Sequence, residues 1–173
     1  MAEKITTRQS LPAFIEQVTV ASNKNQGKTV DLATGVIRLQ YWESILQDGI
    51  RATVMYGDSG NTIDDGKNGM KTAIDGLPIV GQERVQLKFT DNNEETLELV
   101  MYVNKVKPFY DDSTKSAVAL DLSSKEFIMN EKVRVTKRYD GKVSEHVKTI
   151  LKDVLKTDKD LDIEETQNNY NFL

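Results

Sequence analysis

The residues best suited by type to catalysis in this 173-residue chain centre on His146, its single histidine. His146 lies at the border of an apolar stripe on a predicted helix. A catalytic histidine needs a nucleophile and an orienting acid, yet the chain has no cysteine and no G-x-S-x-G turn. We therefore interpret His146 as a boundary residue of a docking helix and predict that the chain is not an enzyme.

A second candidate is the acidic, glycine-rich loop of residues 58–69, which suggests calcium binding. An EF-hand alignment puts Asp64, Asn68, Gly69 and Asp75 at positions one, five, six and twelve. Position three is then Gly66, which has no side-chain oxygen, and no flanking helices are predicted. We favour a mobile or interface-forming loop and predict no metal or cofactor site. A small calcium- or ligand-binding β module stays open as an alternative of a different class.

A third candidate is a basic patch over a predicted strand and turn. Its members are Lys132, Arg134, Lys137, Arg138 and Lys142. Arg134 and Arg138 share strand parity, so we expect their side chains on one face. A solvated or salt-bridged surface is the favoured interpretation, and docking of an acidic partner or passing DNA is the alternative. The net charge of −4 argues against broad nucleic-acid wrapping.

The elements before residue 123 alternate apolar and polar residues with the period of two that is typical of half-buried strands. The predicted strands are 14–20, 30–32, 36–41, 50–56, 84–89, 96–106 and 116–122. The last three form an expected antiparallel meander. Residues 42–49 are predicted as a helical turn, and residues 72–81 as a shaped turn without regular structure. The pattern predicts a β-sandwich or a distorted barrel.

After residue 123 the pattern becomes mixed. We predict a short helix over 125–132 capped by Ser123 or Ser124, a strand over 133–139, and an Asp-Gly turn at 140–141. A strongly amphipathic helix follows over 143–156, with Ser144 as its cap. Its stripe consists of Val143, Val147, Ile150, Leu151, Val154 and Leu155. Residues 161–163 are a possible further strand. The fold class is therefore α+β and dominated by β-structure.

Three phrases together resemble a known family. They are YWESILQDGIRATVMYGDSG, GLPIVGQERVQLKF and LDLSSKEFIMNEKVRVTKRYDGKVSEHVKTIL. They are similar to the baseplate central hub proteins of contractile-tailed phages, of the T-even-like type that includes phages of marine cyanobacteria. The likeness runs from about Phe14 to the C-terminus.

The resemblance implies a tail-tube-like β-barrel or sandwich over residues 14–124, after a flexible arm at 1–13. Residues 125–173 would begin a second α+β domain, which we expect to be incomplete because family members usually run longer. The family forms homotrimeric rings that join the tail tube to the spike around a DNA channel.

The resemblance also implies partners and a location. The expected partners are the tail spike or tail lysozyme protein, the tail tube and other baseplate proteins, while DNA passes without specific binding. The expected location is the virion tail baseplate, assembled in the host cytoplasm without a membrane. A tail-tube initiator or terminator protein of the same tube-like fold is the nearest alternative.

Overall fold

The computed structural model describes residues 13–25, 27–60, 62–64, 69–91, 93–112 and 115–172. Backbone proximity divides them into two compact units. The first contains the described residues up to Trp42 together with Arg51–Leu122, and the second contains Glu43–Ile50 and the residues from Ser123 onward. The arm predicted over 1–13 lies outside the described residues, apart from Ala13.

The first unit is built from strands joined by turns. Its strands are β1 (Phe14–Ala21), β2 (Thr29–Asp31), β3 (Val36–Trp42), β4 (Arg51–Asp58), β5 (Ile63–Asp64), β6 (Met70–Lys71), β7 (Arg84–Thr90), β8 (Thr96–Asp111) and β9 (Ser116–Ser123). A 3-10 helix at Ala33–Gly35 and a short α-helix, α1 (Ala73–Gly76), complete the unit. The unit is dominated by strands, as the predicted fold class requires.

Seven of these strands form one sheet in the order β2-β1-β7-β8-β9-β4-β3. The pairs β1–β2, β1–β7, β7–β8 and β3–β4 are antiparallel, and β5 pairs with β6 in a separate two-stranded sheet. Strands β7, β8 and β9 are neighbours, which confirms the predicted meander.

The seven-stranded sheet is curled into a half barrel. Strands β2 and β3 lie at opposite ends of the strand order, although five residue steps separate Asp31 from Val36. Such a connection reaches at most about 18 Å, whereas seven strands laid flat span about 29 Å. The 3-10 helix between them contacts both β1 and β4. A flat sheet is therefore excluded by chain length alone.

The strands of this sheet supply most of the core. Fully or nearly fully buried side chains recur at alternate positions, as the period of two predicts. The core members on the strands are Val18, Val20, Val30, Ala52, Val54, Tyr56, Val85, Leu87, Met101, Val103, Val118, Ala119, Leu120 and Leu122. The alternation on β4, β7 and β8 confirms the predicted period of two.

Two predictions in the first part of the chain are wrong. The helical turn expected at 42–49 is a run of turns and bends, and these residues lie with the second unit from Glu43 onward. The segment expected to be irregular contains α1, because the Asp58 carboxylate accepts a hydrogen bond from the Ala73 N–H at 2.6 Å and stabilises the first turn.

The second unit contains α2 (Lys125–Lys132), β10 (Tyr139–Lys142), α3 (Val143–Thr149), a π-helical segment (Ile150–Val154) and β11 (Asn169–Phe172). Helix α2 has the predicted bounds. The strand predicted over 133–139 is wrong, since residues 133–138 have no regular structure and pairing begins at Tyr139. Extended residues become a strand when a partner bonds them, and β11 pairs with Tyr139–Lys142.

Three further predictions in this unit need correction. The Asp140–Gly141 turn lies inside β10, and residues 161–163 form no strand. Ser144 does not cap α3, whose N-cap is Lys142. The Ser144 hydroxyl lies 3.4 Å from that of Thr166. The backbone N–H of each residue also donates to the other's hydroxyl at 3.3 Å, so the start of α3 is hydrogen-bonded to Thr166.

Candidate functional site

His146, predicted at the border of an apolar stripe, is buried near the start of α3. Its ring packs against Tyr139 with 5.4 Å between ring centroids. Val147, predicted to be in the apolar stripe, is 37% exposed instead. The start of the helix therefore packs through His146 and Ser144, and His146 serves as a packing residue within this unit.

The acidic loop uses its first carboxylate as a structural clamp. Asp58 accepts hydrogen bonds from the Gly60 N–H at 2.8 Å, the Thr62 hydroxyl at 2.5 Å and the Ala73 N–H at 2.6 Å. Two positions of the calcium hypothesis, Gly66 and Asn68, lie outside the described residues. Within the described ranges, no group of three or more acidic or histidine side chains is placed to hold a metal ion.

The basic patch does not form the single strand face that was predicted. Arg138 pairs with Asp140 at 2.9 Å, and Lys142 pairs with Glu165 at 3.3 Å. Lys137 lies 5.9 Å from the centre of the Tyr139 ring. The parity argument for Arg134 and Arg138 fails because the segment is not a strand. An exposed basic segment remains at residues 132–138, from the last residue of α2 to the start of β10.

Strand β3 is the clearest candidate for intermolecular pairing. It ends the strand order, so one of its edges is open within the part of the chain that the structure describes. Two of its apolar side chains, Ile37 and Trp42, are 64% and 46% exposed. Natural monomers usually shorten, charge or cover such an edge, whereas assembled subunits pair it with a neighbour.

A cleft of about 550 Å³ lies wholly within the second unit. Its apolar lining includes Ile50, Leu151, Leu155 and Leu161. The π-helical geometry from Ile150 to Val154, in which the Leu155 N–H donates to the Ile150 carbonyl at 2.9 Å, leads directly to this wall. We call this site the acidic cleft because of the charges described next.

Four carboxylates and one ammonium group line the acidic cleft: Glu43, Asp48, Glu126, Asp160 and Lys159. Glu126 bonds Lys159 at 2.6 Å and also accepts from the Thr157 hydroxyl. Burial alone raises the pKa of Glu126, but the bonds from Lys159 and Thr157 outweigh it and lower that pKa to about 2. Among the residues that line the cleft, carboxylates therefore outnumber ammonium groups four to one.

Sequence reasoning identified the basic segment but missed the acidic cleft. Its charged members come from three separate stretches around Glu43, Glu126 and Asp160, which no local motif connects. The loop 43–50 carried one usable signal, the consecutive apolar residues Ile45 and Leu46 between polar neighbours. They are 100% and 92% exposed.

Comparisons with known proteins match solved structures but no family. No family model matches the chain, and no curated protein matches it in sequence. Among the solved structures that are similar is a component of the E. coli type VI secretion system, which is itself described as structurally similar to bacteriophage T4 tail proteins. The two chains share 10% identity at a TM-score of 0.43.

That likeness covers 92% of this chain but 36% of the other, so this chain spans about a third of the matched protein. In the described residues, no helix is long and apolar enough to cross a membrane.

Proposed function

We propose that this chain is a structural subunit of a phage tail baseplate, a component of the homotrimeric central hub ring between tail tube and spike. Its role is geometric rather than catalytic. The proposal is supported by the three sequence phrases similar to hub proteins and by the curled, β-dominated first unit.

The observation that carries the proposal is the open edge of β3. Its backbone N–H and C=O groups on the outer side can bond a neighbouring subunit, and exposed Ile37 and Trp42 add apolar contact. The short strand β2 ends the opposite edge of the same sheet. Pairing between unlike edges is head-to-tail, and it closes into a ring when the rotation between subunits allows.

The ring would surround a channel through which DNA passes without sequence-specific contact. The net charge of −4 supports this, because proteins that wrap DNA neutralise phosphates with lysine and arginine. Tube, spike and other baseplate proteins would be the partners above and below. A tube initiator or terminator would use the same edges with a different number of subunits.

A charge on the open edge tests the proposal. Replacing Ile37 with lysine places a charge at an exposed position, where it opposes strand pairing at little cost to the fold. Phe109→Lys is the matched control, since Phe109 is 65% exposed on β8. Light scattering should show that Ile37→Lys lowers the assembled fraction and Phe109→Lys does not. Equal assembly of both variants would contradict the role of β3.

A further inference from the structure

A polar pocket lies wholly within the first unit. Its volume of about 610 Å³ falls in the range of small-molecule sites. Four residues of its lining carry aliphatic hydroxyl groups: Thr34, Ser59, Thr62 and Ser116. We call it the hydroxyl pocket. Hydroxyl groups both donate and accept hydrogen bonds, so this lining suits a ligand that does the same.

The two formal charges that line the hydroxyl pocket cancel. Asp58 supplies one carboxylate, and Lys115 supplies one ammonium group. The Asp58 oxygens already accept three hydrogen bonds from the protein. An anionic ligand would meet this carboxylate, and a cationic ligand would meet the ammonium group. A neutral ligand faces no like charge, so the charge balance favours it.

The buried side of the hydroxyl pocket holds a hydroxyl group without a partner. Ser116 is 4% exposed, and its hydroxyl makes no hydrogen bond within the part of the chain that the structure describes. A buried hydroxyl in this state is unfavourable. A ligand hydroxyl that bonded Ser116 would offset that cost, so this group points to a polar occupant.

An aromatic side chain completes the lining. Tyr110 is 54% exposed, and its hydroxyl donates to the Asp112 carboxylate, which limits the movement of the ring. Asp58 likewise fixes the opening of the acidic loop by bonding the Gly60 N–H and the Thr62 hydroxyl. Groups that are ordered in advance lose less entropy when a ligand binds. The negative face of an aromatic ring also attracts weakly polarised C–H groups.

We infer that the hydroxyl pocket binds a neutral carbohydrate. A pyranose ring carries hydroxyl groups around its edge and C–H groups on its face. The edge matches Ser116 and the exposed threonines Thr34 and Thr62, and the face matches Tyr110. This inference goes beyond the proposed function and does not depend on assembly, because the pocket belongs to one copy of the chain.

Saturation-transfer difference NMR on the natural chain tests the inference, with the methyl α-glycosides of glucose, galactose and mannose as probes. A single-sugar site has a Kd on the order of 1 mM, which this method detects. We expect transfer to at least one of these neutral glycosides. No transfer to any of them would overturn the inference. Tighter binding of glucuronate or glucosamine would contradict the neutral ligand.

Free sugars and glycans share this chemistry, and immobilised probes distinguish them. The glycoside that binds is coupled to polyacrylamide beads, and retention of the chain is measured. Retention would indicate that a glycan can enter the pocket. Binding of the free glycoside without retention would indicate a soluble sugar. Both results support the carbohydrate class.

The aromatic contact is tested by Tyr110→Leu, which should weaken glycoside binding about fivefold. Phe109→Leu is the matched control. Phe109 is the neighbouring aromatic residue on β8, is 65% exposed and lies on the other side of the strand. The control should bind like the natural chain. Equal losses in the two variants would contradict the contact with Tyr110.

The buried hydroxyl is tested by Ser116→Ala, which should weaken binding about fivefold, the effect of one neutral hydrogen bond. The Tm of the free variant should be no lower than that of the natural chain, because the substitution removes an unpartnered hydroxyl. A lower Tm with unchanged binding would show a purely structural role and overturn this assignment. Ser123→Ala, at the other end of β9, is the control and should leave binding unchanged.

The outcomes separate this inference from the proposed function. A chain that binds a neutral glycoside but never associates would contradict the ring and support the hydroxyl pocket. A chain that forms trimers but binds no glycoside would support the ring and overturn the carbohydrate site.

Discussion

Gly35 and Gly57 approach so closely that a β-carbon on Gly35 would lie 2.5 Å from the Gly57 carbonyl oxygen. Gly35 ends the 3-10 helix just before β3, and Gly57 lies near the end of β4. The contact is between backbone atoms, so no side chain can rotate away from an added methyl group. It fixes where the chain enters the open edge strand.

Replacing Gly35 with alanine should therefore destabilise the first unit, by about 1–3 kcal/mol, because the added atom overpacks a rigid contact. Urea unfolding followed by circular dichroism measures the change. Gly57→Ala is the matched control, since its β-carbon would lie 3.5 Å from Ile37 Cδ1, an ordinary contact distance. Equal stability of the two variants would show that the backbone approach is not tight.

The Glu126–Lys159 pair should make stability depend on acid pH. The pKa of Glu126 is lowered from 4.5 to about 2 in the folded chain. A lowered folded pKa gives stability that is fully present above pH 4.5 and is lost as the pH falls toward 2. Glu126→Gln should cost about 1–3 kcal/mol at pH 7.

The difference in the free energy of unfolding between the natural chain and Glu126→Gln should shrink as the pH falls from 4.5 toward 2. Glu164→Gln, at an exposed position, is the control and should change stability by less than about 0.5 kcal/mol. A Glu126→Gln penalty that stays constant down to pH 2 would contradict the ionic origin of the contact.

Glu83 should be a structural carboxylate of the first unit. It is fully buried, and its two oxygens accept hydrogen bonds from the Val80 N–H at 3.0 Å and the Gly81 N–H at 2.7 Å. In Glu83→Gln an amide NH₂ faces one of these donors, so we expect a loss of about 1–3 kcal/mol. Thermal unfolding measures it, with exposed Glu98→Gln as control. A neutral Glu83→Gln substitution would refute this role.

We predict that the loop of residues 58–69 has no stoichiometric calcium site. Asp58, the acid that opens the loop, already accepts three hydrogen bonds, and Gly66 at the third position of the calcium alignment has no side-chain oxygen. We expect isothermal titration with calcium to give no stoichiometric heat at millimolar ion concentrations. A saturable one-site isotherm that is lost in Asp64→Asn would restore the hypothesis of a calcium-binding module.

The strands were predictable because apolar residues repeat with a period of two, as at Val85 and Leu87. Helix α2 was predictable from its composition. The wrong predictions concern segments whose structure depends on pairing with a distant strand. Residues 133–138 have β-forming side chains but no partner, while β11, rich in asparagine, becomes a strand because β10 lies beside it. Residues 43–50 depart from the predicted helical turn while lying with the second unit.

Of the candidate sites, the sequence showed the contiguous one but not the one assembled by the fold. Residues 132–138 are contiguous, so their charge was visible in the sequence. The acidic cleft depends on Glu43, Glu126 and Asp160, which become neighbours through the fold. Ser124 occupies the predicted cap position, yet its hydroxyl makes no cap bond, which no residue pattern could foretell.

The number of copies in the assembled particle tests the central proposal most directly. Native mass spectrometry of the unmodified chain at micromolar concentration, checked by light scattering, gives that number without labels. The hub proposal predicts particles of three copies. Particles of six copies would favour a tube initiator or terminator, and single copies at every concentration would contradict the account.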